Sequence, residues 1–145
     1  EFVPAGTETI RGRDTARYRY LIRQENSRWR LNINGRAYSP AHEGHVWVDA
    51  ASGRALRIEM SALNSPSGYP LASAKIVVEF DDIAVGERQY LLPLSADNTA
   101  CMSQTPSCKR NFIEFRDYRK FTADSSVFHT DSNVDFGGEP EEPKP

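Results

Sequence analysis

The two cysteines of the chain, Cys101 and Cys108, are the first residues that could carry chemistry. Their C-x6-C spacing differs from the C-x2-C spacing of thioredoxin-like redox centres, and two thiols without a nearby histidine cannot fill a four-ligand zinc site. The polar stretch between them contains Pro106 and separates two segments that could run side by side as strands. These features favour a disulfide over unpaired thiols. Such a bridge would stabilise the fold by roughly 2 to 3 kcal/mol. A disulfide predicts a protein that works outside the reducing cytosol.

The HEGH stretch, His42 to His45, brings two imidazoles and a carboxylate close together in the sequence. The zincin motif H-E-x-x-H needs helical spacing to place both histidines on one face, whereas here a glycine at the start of a strand lies between them. A third ligand would have to come from His129 or an acid elsewhere, and nothing identifies one. We interpret the pair as surface histidines that flank a turn, and predict no metal site and no cofactor.

Acid–base catalysis would need two carboxylates in different environments. The candidates occupy positions expected to face outward from strands, where Arg57, Lys75 and Arg116 are expected to pair with them. These candidates are Asp49, Glu59, Glu79, Asp81, Glu114 and Asp117. The sequence contains no nucleophile elbow, phosphate-binding loop or dinucleotide fingerprint. It therefore predicts a protein that is not an enzyme.

Arginines and aromatic residues interleave in RYRYLIRQENSRWR, residues 17–30. Such a mixture could pair with phosphates and stack on bases. In a strand, however, Arg17 and Arg19 point away from the face that carries Tyr18 and Tyr20, so a stacked base would lie on the wrong side for both arginines. We predict no nucleic-acid binding and interpret the arginines as a solvated or protein-docking face, made of Arg17, Arg19, Arg23, Arg28 and Arg30.

Size and composition describe an ordinary globular protein. The 145 residues fit one domain, with 39% hydrophobic residues and a formal net charge of -2. No apolar run approaches the roughly 18 to 20 residues that span a bilayer. Because the chain begins with Glu1 rather than Met, we expect a mature exported protein or a piece of a longer one. We predict a single β domain over residues 1–130 and an acidic, Pro- and Gly-rich disordered tail over residues 131–145.

Apolar and polar residues alternate with a period of two along most of the chain, which is typical of strands with one buried face. Strands are predicted over residues 16–23, 28–34, 46–49, 56–60, 74–80, 89–92 and 112–121, with a short eighth at 127–129. Turn-forming residues predict hairpins at 24–27 and 50–53, a break at Gly86 and a loop over 93–109. The prediction is an all-β antiparallel meander of seven to eight strands in a strongly curved half-barrel; a closed barrel or a two-sheet sandwich are the alternatives.

The order of several short motifs carries a resemblance. ETIRGRDTA at residues 8–16 and the strand pair around Trp29 come first, followed by GHVWVD at 44–49, Ser52-Gly53 and LRIE at 56–59. Over about residues 8–121 this order resembles the lipoprotein-carrier superfamily, which includes the periplasmic lipoprotein-localisation factors and the lipid-sensing N-terminal domain of a sigma-factor regulator. In that group a G-R strand turn precedes a W-x-D-x-x-(S/T)-G hairpin.

The resemblance implies a non-catalytic half-barrel whose apolar concave face takes acyl chains or an apolar partner segment. The alternation supplies an apolar set that would line or underlie such a face: Tyr18, Tyr20, Trp29, Leu31, Val46, Val48, Leu56, Ile58, Val78 and Phe80. The same side chains could instead pack on one another as a closed core. The family closes its cavity with helices that are not predicted here, so we expect either a fragment without its lid or a relative that has lost ligand binding.

Two functions follow as hypotheses. The first is an exported domain, periplasmic or at the cell surface, that binds a lipid acyl chain or a lipoprotein by burying apolar surface. The alternative is a cell-envelope interaction module with a filled core, which docks another protein through the arginine face or an exposed sheet edge.

Overall fold

The computed structural model describes residues 1–105 and 107–121, and this part of the chain forms nine β-strands and one 3₁₀ turn, Gln24–Asn26. The strands are β1 (Phe2–Ile10), β2 (Arg13–Ile22), β3 (Leu31–Ile33), β4 (Arg36–Tyr38), β5 (Ala41–Asp49), β6 (Ala55–Leu63), β7 (Leu71–Val85), β8 (Arg88–Met102) and β9 (Cys108–Glu114). Within the described residues, no helix is long and apolar enough to cross a membrane.

Seven of these strands form one antiparallel sheet in the order β1-β2-β5-β6-β7-β8-β9, while β3 and β4 form a separate two-stranded sheet. The predicted all-β antiparallel meander is therefore confirmed. Because β1 and β9 each pair with a single neighbour, the sheet is open and the closed-barrel alternative is wrong. The seven strands lie in one sheet rather than two, so the sandwich alternative is also wrong.

The hairpin between β5 and β6 and the break at Gly86 are confirmed. The predicted hairpin between residues 16–23 and 28–34 is wrong, because β2 pairs with β1 and β5, and β3 pairs with β4. Residues 23–40, here called the insertion, leave the main sheet between β2 and β5. Trp29, Leu31 and Ile33 of the insertion pack against a buried cluster that includes Leu71 and Ala74 of the main sheet, and so they are partly buried without joining its ladder.

β1 was not predicted, because it is an edge strand with almost no buried side chain. Ile10 is the one buried residue among its nine. A strand that buries neither face carries no alternation for sequence analysis to detect. Its pairing with β2 also shifts register between Pro4 and Thr7, an irregularity that edge strands tolerate.

The bounds of the last strands differ from the predicted ones. Residues predicted as loop continue β8 to Met102, and Pro93 lies at a register shift, where a missing ladder N–H is tolerated. β9 begins at Cys108 and ends at Glu114 instead of running over 112–121. The short strand predicted at 127–129, the domain boundary at 130 and the tail at 131–145 lie outside the described residues.

Residues directly opposed across an antiparallel ladder share one face of the sheet, so the register defines two faces. We call a set of residues that lie side by side across neighbouring strands a row. One row contains Arg17, Trp47, Arg57, Glu79, Ser95 and Glu114, and its side is here called the charged face. The next row contains Tyr18, Val46, Ile58, Val78, Ala96 and Ile113, and its side is here called the apolar face.

Two buried clusters lie at opposite ends of the strands. The first is at the end of the β1–β2 and β5–β6 turns and contains Ile10, Trp47 and Leu56, with Leu91 packed against it. The second contains Tyr69, Leu71 and Ala74, and the insertion covers it with Trp29, Leu31, Ile33 and Tyr38. The centre of the sheet between them has no such cluster within the described residues.

Ion pairs at the turn end connect strands that are not neighbours. Arg11, in the β1–β2 turn, donates to Glu79 at 2.8 Å and to Asp81 at 3.2 Å, and both acceptors belong to β7. β5 and β6 lie between β2 and β7, which places β2 and β7 about 14 Å apart in a flat sheet. The sheet must therefore curve strongly here. At this end the inside of the curve is the charged face, whereas the resemblance implies an apolar concave face.

Gly44 allows β5 and β6 to approach closely at the centre of the sheet. A Cβ atom at residue 44 would lie 1.8 Å from the Glu59 carbonyl oxygen and 2.9 Å from the Met60 Cα. Tyr20 lies opposite Gly44 in the ladder, and its hydroxyl donates to the same Glu59 carbonyl oxygen at 3.0 Å. Burial, followed by the Glu59 charge, raises the pKa of Tyr20 and so favours the protonated hydroxyl that this bond needs.

The disulfide between Cys101 and Cys108 is confirmed. The two residues are directly opposed on β8 and β9, with Cα atoms 4.0 Å apart. The Met102 N–H donates to the Ser107 carbonyl at 3.1 Å and closes the same connection. Most side chains of β9 are exposed, so β9 gains little from burial and is held by its ladder and this bridge.

We predict that Gly44→Ala lowers the free energy of unfolding by about 2 to 3 kcal/mol, because the added methyl group meets backbone atoms of β6. Urea unfolding followed by circular dichroism measures the loss. Gly86→Ala is the matched control, since a methyl group there meets nothing within 4 Å and the cost is that of a left-handed backbone, with φ +64°, about 1 kcal/mol. Equal losses in the two variants would contradict the close approach of β5 and β6.

We also predict that Cys101→Ser with Cys108→Ser lowers the unfolding free energy by about 2 to 3 kcal/mol while the β-sheet signal is retained. The bridge closes a short loop at a sheet edge, so its loss frees the unfolded chain more than it alters the fold. Wild-type protein with and without reductant gives the same comparison, and reductant should not affect the double variant. Complete unfolding on reduction would show instead that the fold depends on the bridge.

Candidate apolar ligand-binding face

The first row of the apolar face crosses six adjacent strands, β2, β5, β6, β7, β8 and β9, with an apolar side chain on each. Strands spaced about 4.8 Å apart make this row about 24 Å long. Pro4 lies opposite Tyr18 and extends the row onto β1. The row therefore forms a continuous apolar strip at right angles to the strands.

A second row lies beside the first, one pleat nearer to the insertion. It contains Tyr20, Gly44, Met60 and Ile76, followed by Asn98 and Asn111. The Phe2 ring lies 5.8 Å from the Tyr20 ring and extends this row onto β1. The second row is thus apolar from β1 to β7 and polar on β8 and β9.

The side chains of the first row are neither buried nor fully exposed, apart from Ala96, which is 8% exposed. A sheet face that packed against a second layer would bury its central side chains, as the two end clusters do. The insertion reaches one margin of this face, where the Trp29 ring meets the His42 ring edge-on at 5.6 Å. An accessible apolar area therefore remains between the insertion and the turn end.

Most of the predicted ligand-binding residues come together on this face. Tyr18, Val46, Ile58 and Val78 belong to the first row and Tyr20 to the second. Val48 lies opposite Ala16 on the same side of β5. Phe80 is partly buried and lies beyond a register shift between Glu79 and Phe80, so alternation from Val78 does not assign it to this face.

Three predicted residues lie elsewhere. Leu56 is fully buried in the turn-end cluster with Trp47, on the charged side of the sheet. The β5–β6 pairing shifts register between Trp47 and Val48, which leaves Leu56 as an extra residue in a bulge. Alternation counted back from Ile58 places Leu56 on the apolar face, because it does not include the bulge. Trp29 and Leu31 belong to the insertion and pack on the second cluster.

The predicted set lacks several members of the face, among them Met60, Ile76, Ala96 and Ile113. Met60 and Ile76 continue the alternation of the predicted strands, and that signal alone could have included them. Ala96 and Ile113 are members only because β8 and β9 pair in this register. Nothing local in the sequence places either residue in the same row as Val78.

The five arginines of the predicted docking face lie in two parts of the structure, β2 and the insertion. The Arg17 guanidinium donates twice to the Ala5 carbonyl, at 2.7 and 3.0 Å, and so braces β1 against β2. Arg19 pairs with Glu43 at 2.6 Å on the charged face. The exposed residues Arg23, Arg28 and Arg30 belong to the insertion and have no ion pair within the described residues.

Carboxylates on the charged face pair across strands, as predicted. Glu79 pairs with Arg57, and Glu59 lies 2.9 Å from the Lys75 ammonium. Arg116 pairs instead with Glu114, two residues away in the chain. Pairs of this kind on a wet surface each contribute little to stability, but they give every carboxylate concerned a cationic partner.

Asp49 is the most strongly held carboxylate. Its side chain is 4% exposed, lies 2.8 Å from the Arg13 guanidinium and accepts the Ser52 N–H at 2.9 Å. The hydrogen bond from Arg13, followed by that from the Ser52 hydroxyl, holds the pKa of Asp49 well below its usual range. The same bond raises the pKa of Arg13. Asp49 therefore closes the β5–β6 turn as a carboxylate.

His42 and His45 cannot bind one metal ion, because they point to opposite faces of β5. His42 is 8% exposed on the apolar side, near Tyr20 and Trp29, so the interpretation as a surface histidine is wrong for this residue. His45 lies on the charged face, 3.8 Å from Glu59. Across residues 1–105 and 107–121, no three metal-ligating side chains are grouped to hold an ion.

No protein-family model, curated protein or solved structure matches the chain. The resemblance to lipoprotein carriers stays a prediction from the sequence motifs.

We predict that Asp49→Asn destabilises the protein at neutral pH and that the difference from wild type narrows as the pH falls. The folded-state pKa of Asp49 lies below that of the unfolded chain, which is about 4. Its charge therefore stabilises the fold above about pH 4, and this contribution is lost as the pH falls toward the folded-state pKa. Thermal unfolding from neutral to acidic pH measures the effect. Glu87→Gln, in the exposed β7–β8 turn, is the control; a difference for Asp49→Asn that does not change with pH would contradict the assignment.

Proposed function

We propose that this chain is a non-catalytic, exported cell-envelope domain that binds an apolar ligand, the acyl chain of a lipid or lipoprotein, on the apolar face. The single observation that carries the proposal is the first row, Tyr18 to Ile113, which is apolar on six strands and accessible between the insertion and the turn end. Large accessible apolar areas on proteins are typical of binding sites.

The dimensions of the row suit an acyl chain. An acyl chain spans one leaflet of a bilayer, which is about 15 Å of hydrocarbon. The row is about 24 Å long, so it is long enough for such a chain. Each methylene group removed from water contributes about 0.8 kcal/mol. A chain lying across the strands, along Val46, Ile58 and Val78, would be covered on one side by β-branched side chains.

Two further observations support an exported, non-catalytic role. The Cys101–Cys108 disulfide supports export, because disulfides form and persist in oxidising compartments. The carboxylates of the charged face and of the turn end mostly have cationic partners, among them Arg13, Arg57 and Lys75, which is typical of structural rather than catalytic acids.

Protein docking is the second candidate function, and Arg23, Arg28 and Arg30 favour it. Arg28 and Arg30 are the sequence neighbours of Trp29, Arg23 lies at the start of the insertion, and these exposed cations have no ion pair within the described residues. An acidic segment of another cell-envelope protein would suit them. Such binding would weaken strongly with added salt, whereas binding of an uncharged acyl ligand would change little.

We predict that wild-type protein binds 1-decanol, an uncharged chain, and that Val78→Thr weakens this binding about tenfold, because a hydroxyl group would be desolvated under the ligand. Isothermal titration calorimetry gives the dissociation constants. Val77→Thr is the matched control: it makes the same change one residue away, on the charged face, where Val77 lies between Glu59 and Asp97. Both variants keep a β-branched side chain and should fold. No binding by wild type, or equal weakening in both variants, would contradict the proposal.

A further inference from the structure

The apolar face changes character at its β8–β9 margin. Asn98 and Asn111 are directly opposed there and end the second row with two amide side chains. Lys109 lies on the same face, because it is opposed to Ala100, which packs on the buried cluster of Leu71 and Ala74. Two amides and an ammonium group therefore adjoin the apolar rows at one edge of the sheet.

The opposite margin of the face has no such polar group. There Phe2 packs on Tyr20, and Pro4 lies opposite Tyr18. Within the described rows, the face thus runs from a polar and cationic margin on β9 to an aromatic margin on β1 and β2. A molecule that matches this polarity has a polar head at one end and one apolar chain.

Lys109 differs from nearby cationic side chains on the charged face, which pair with carboxylates. Arg110, the next residue, pairs with Asp97, and Lys75 pairs with Glu59 at 2.9 Å. Within the described residues Lys109 has no ion pair, and it is exposed. An unpaired ammonium group at the border of an apolar surface favours an anion there.

We infer that the ligand of the apolar face is a single-chain amphiphile with an anionic headgroup. This inference rests on the proposed function. Lys109 faces the headgroup as a point charge, and the amide N–H groups of Asn98 and Asn111 can donate to its oxygens. The chain lies across β8, β7, β6 and β5 toward the tyrosines of β2. A fatty-acid carboxylate and a lysolipid phosphate share this chemistry.

The test compares ligands with the same chain and different heads. Decanoate, decyl phosphate and 1-decanol are titrated below their aggregation limits into wild type at about pH 8, where the carboxylate is ionised. We expect wild type to bind the two anions about tenfold more tightly than the alcohol. Lys109→Gln should remove that preference without changing alcohol binding, and Lys109→Arg should retain most of it.

Lys120→Gln is the matched control, because it removes the same charge from an exposed position beyond β9. It should leave all three affinities unchanged. If wild type binds anions and alcohol equally, or if Lys109→Gln and Lys120→Gln act alike, the headgroup inference is overturned while the proposed function stands. If wild type binds none of the three ligands, both are overturned. Tighter binding of decyl phosphate than of decanoate would support a phosphate headgroup, and the reverse order a carboxylate.

Discussion

Both faces of this protein depend on the register of the antiparallel ladder that runs from β2 through β5, β6 and β7 to β8. Tyr18, Val46, Ile58, Val78 and Ala96 are opposed in one unbroken line. A slip of one residue in any pair would move every side chain of that strand to the other face. In the β6–β7 pair, for example, such a slip would place Glu79 beside the apolar row and separate it from Arg57. Register, more than any single contact, therefore creates a strip of apolar surface on one side and cross-strand ion pairs on the other.

The two ends of the sheet stabilise this register in different ways. At the turn end, Arg11 and Arg13 reach carboxylates on other strands, and Trp47 and Leu56 are buried beneath them. At the other end, the insertion covers the apolar side with its own small sheet. The centre, where Gly44 brings β5 close to β6, has an uncovered apolar face. The accessible apolar rows therefore lie between these two ends.

The sequence predicted the strands whose two sides differ. Alternation correctly places Tyr18 and Tyr20 opposite to Arg17 and Arg19, and it finds the β5–β6 hairpin, because the turn at 50–53 lies between two clear period-two segments. It misses β1, which buries almost nothing, and it misassigns the segment around Trp29. Trp29, Leu31 and Ile33 alternate as a strand of the main sheet would, but they pack on a face of that sheet instead of extending its edge. A short apolar alternation does not distinguish these two outcomes.

By itself, the sequence determined the β class, the disulfide and the apolar and charged sides of the central strands. Each of these follows from residues that are close in the chain: period-two alternation, or two cysteines that flank one turn. Only the tertiary structure decided that Leu56 leaves the apolar side, that Arg17 braces β1, and that Ala96, Ile113 and Lys109 lie along the apolar rows. These placements depend on bulges and on pairing between distant strands. Such pairing is set by the summed packing of the whole sheet, which no local stretch of sequence contains.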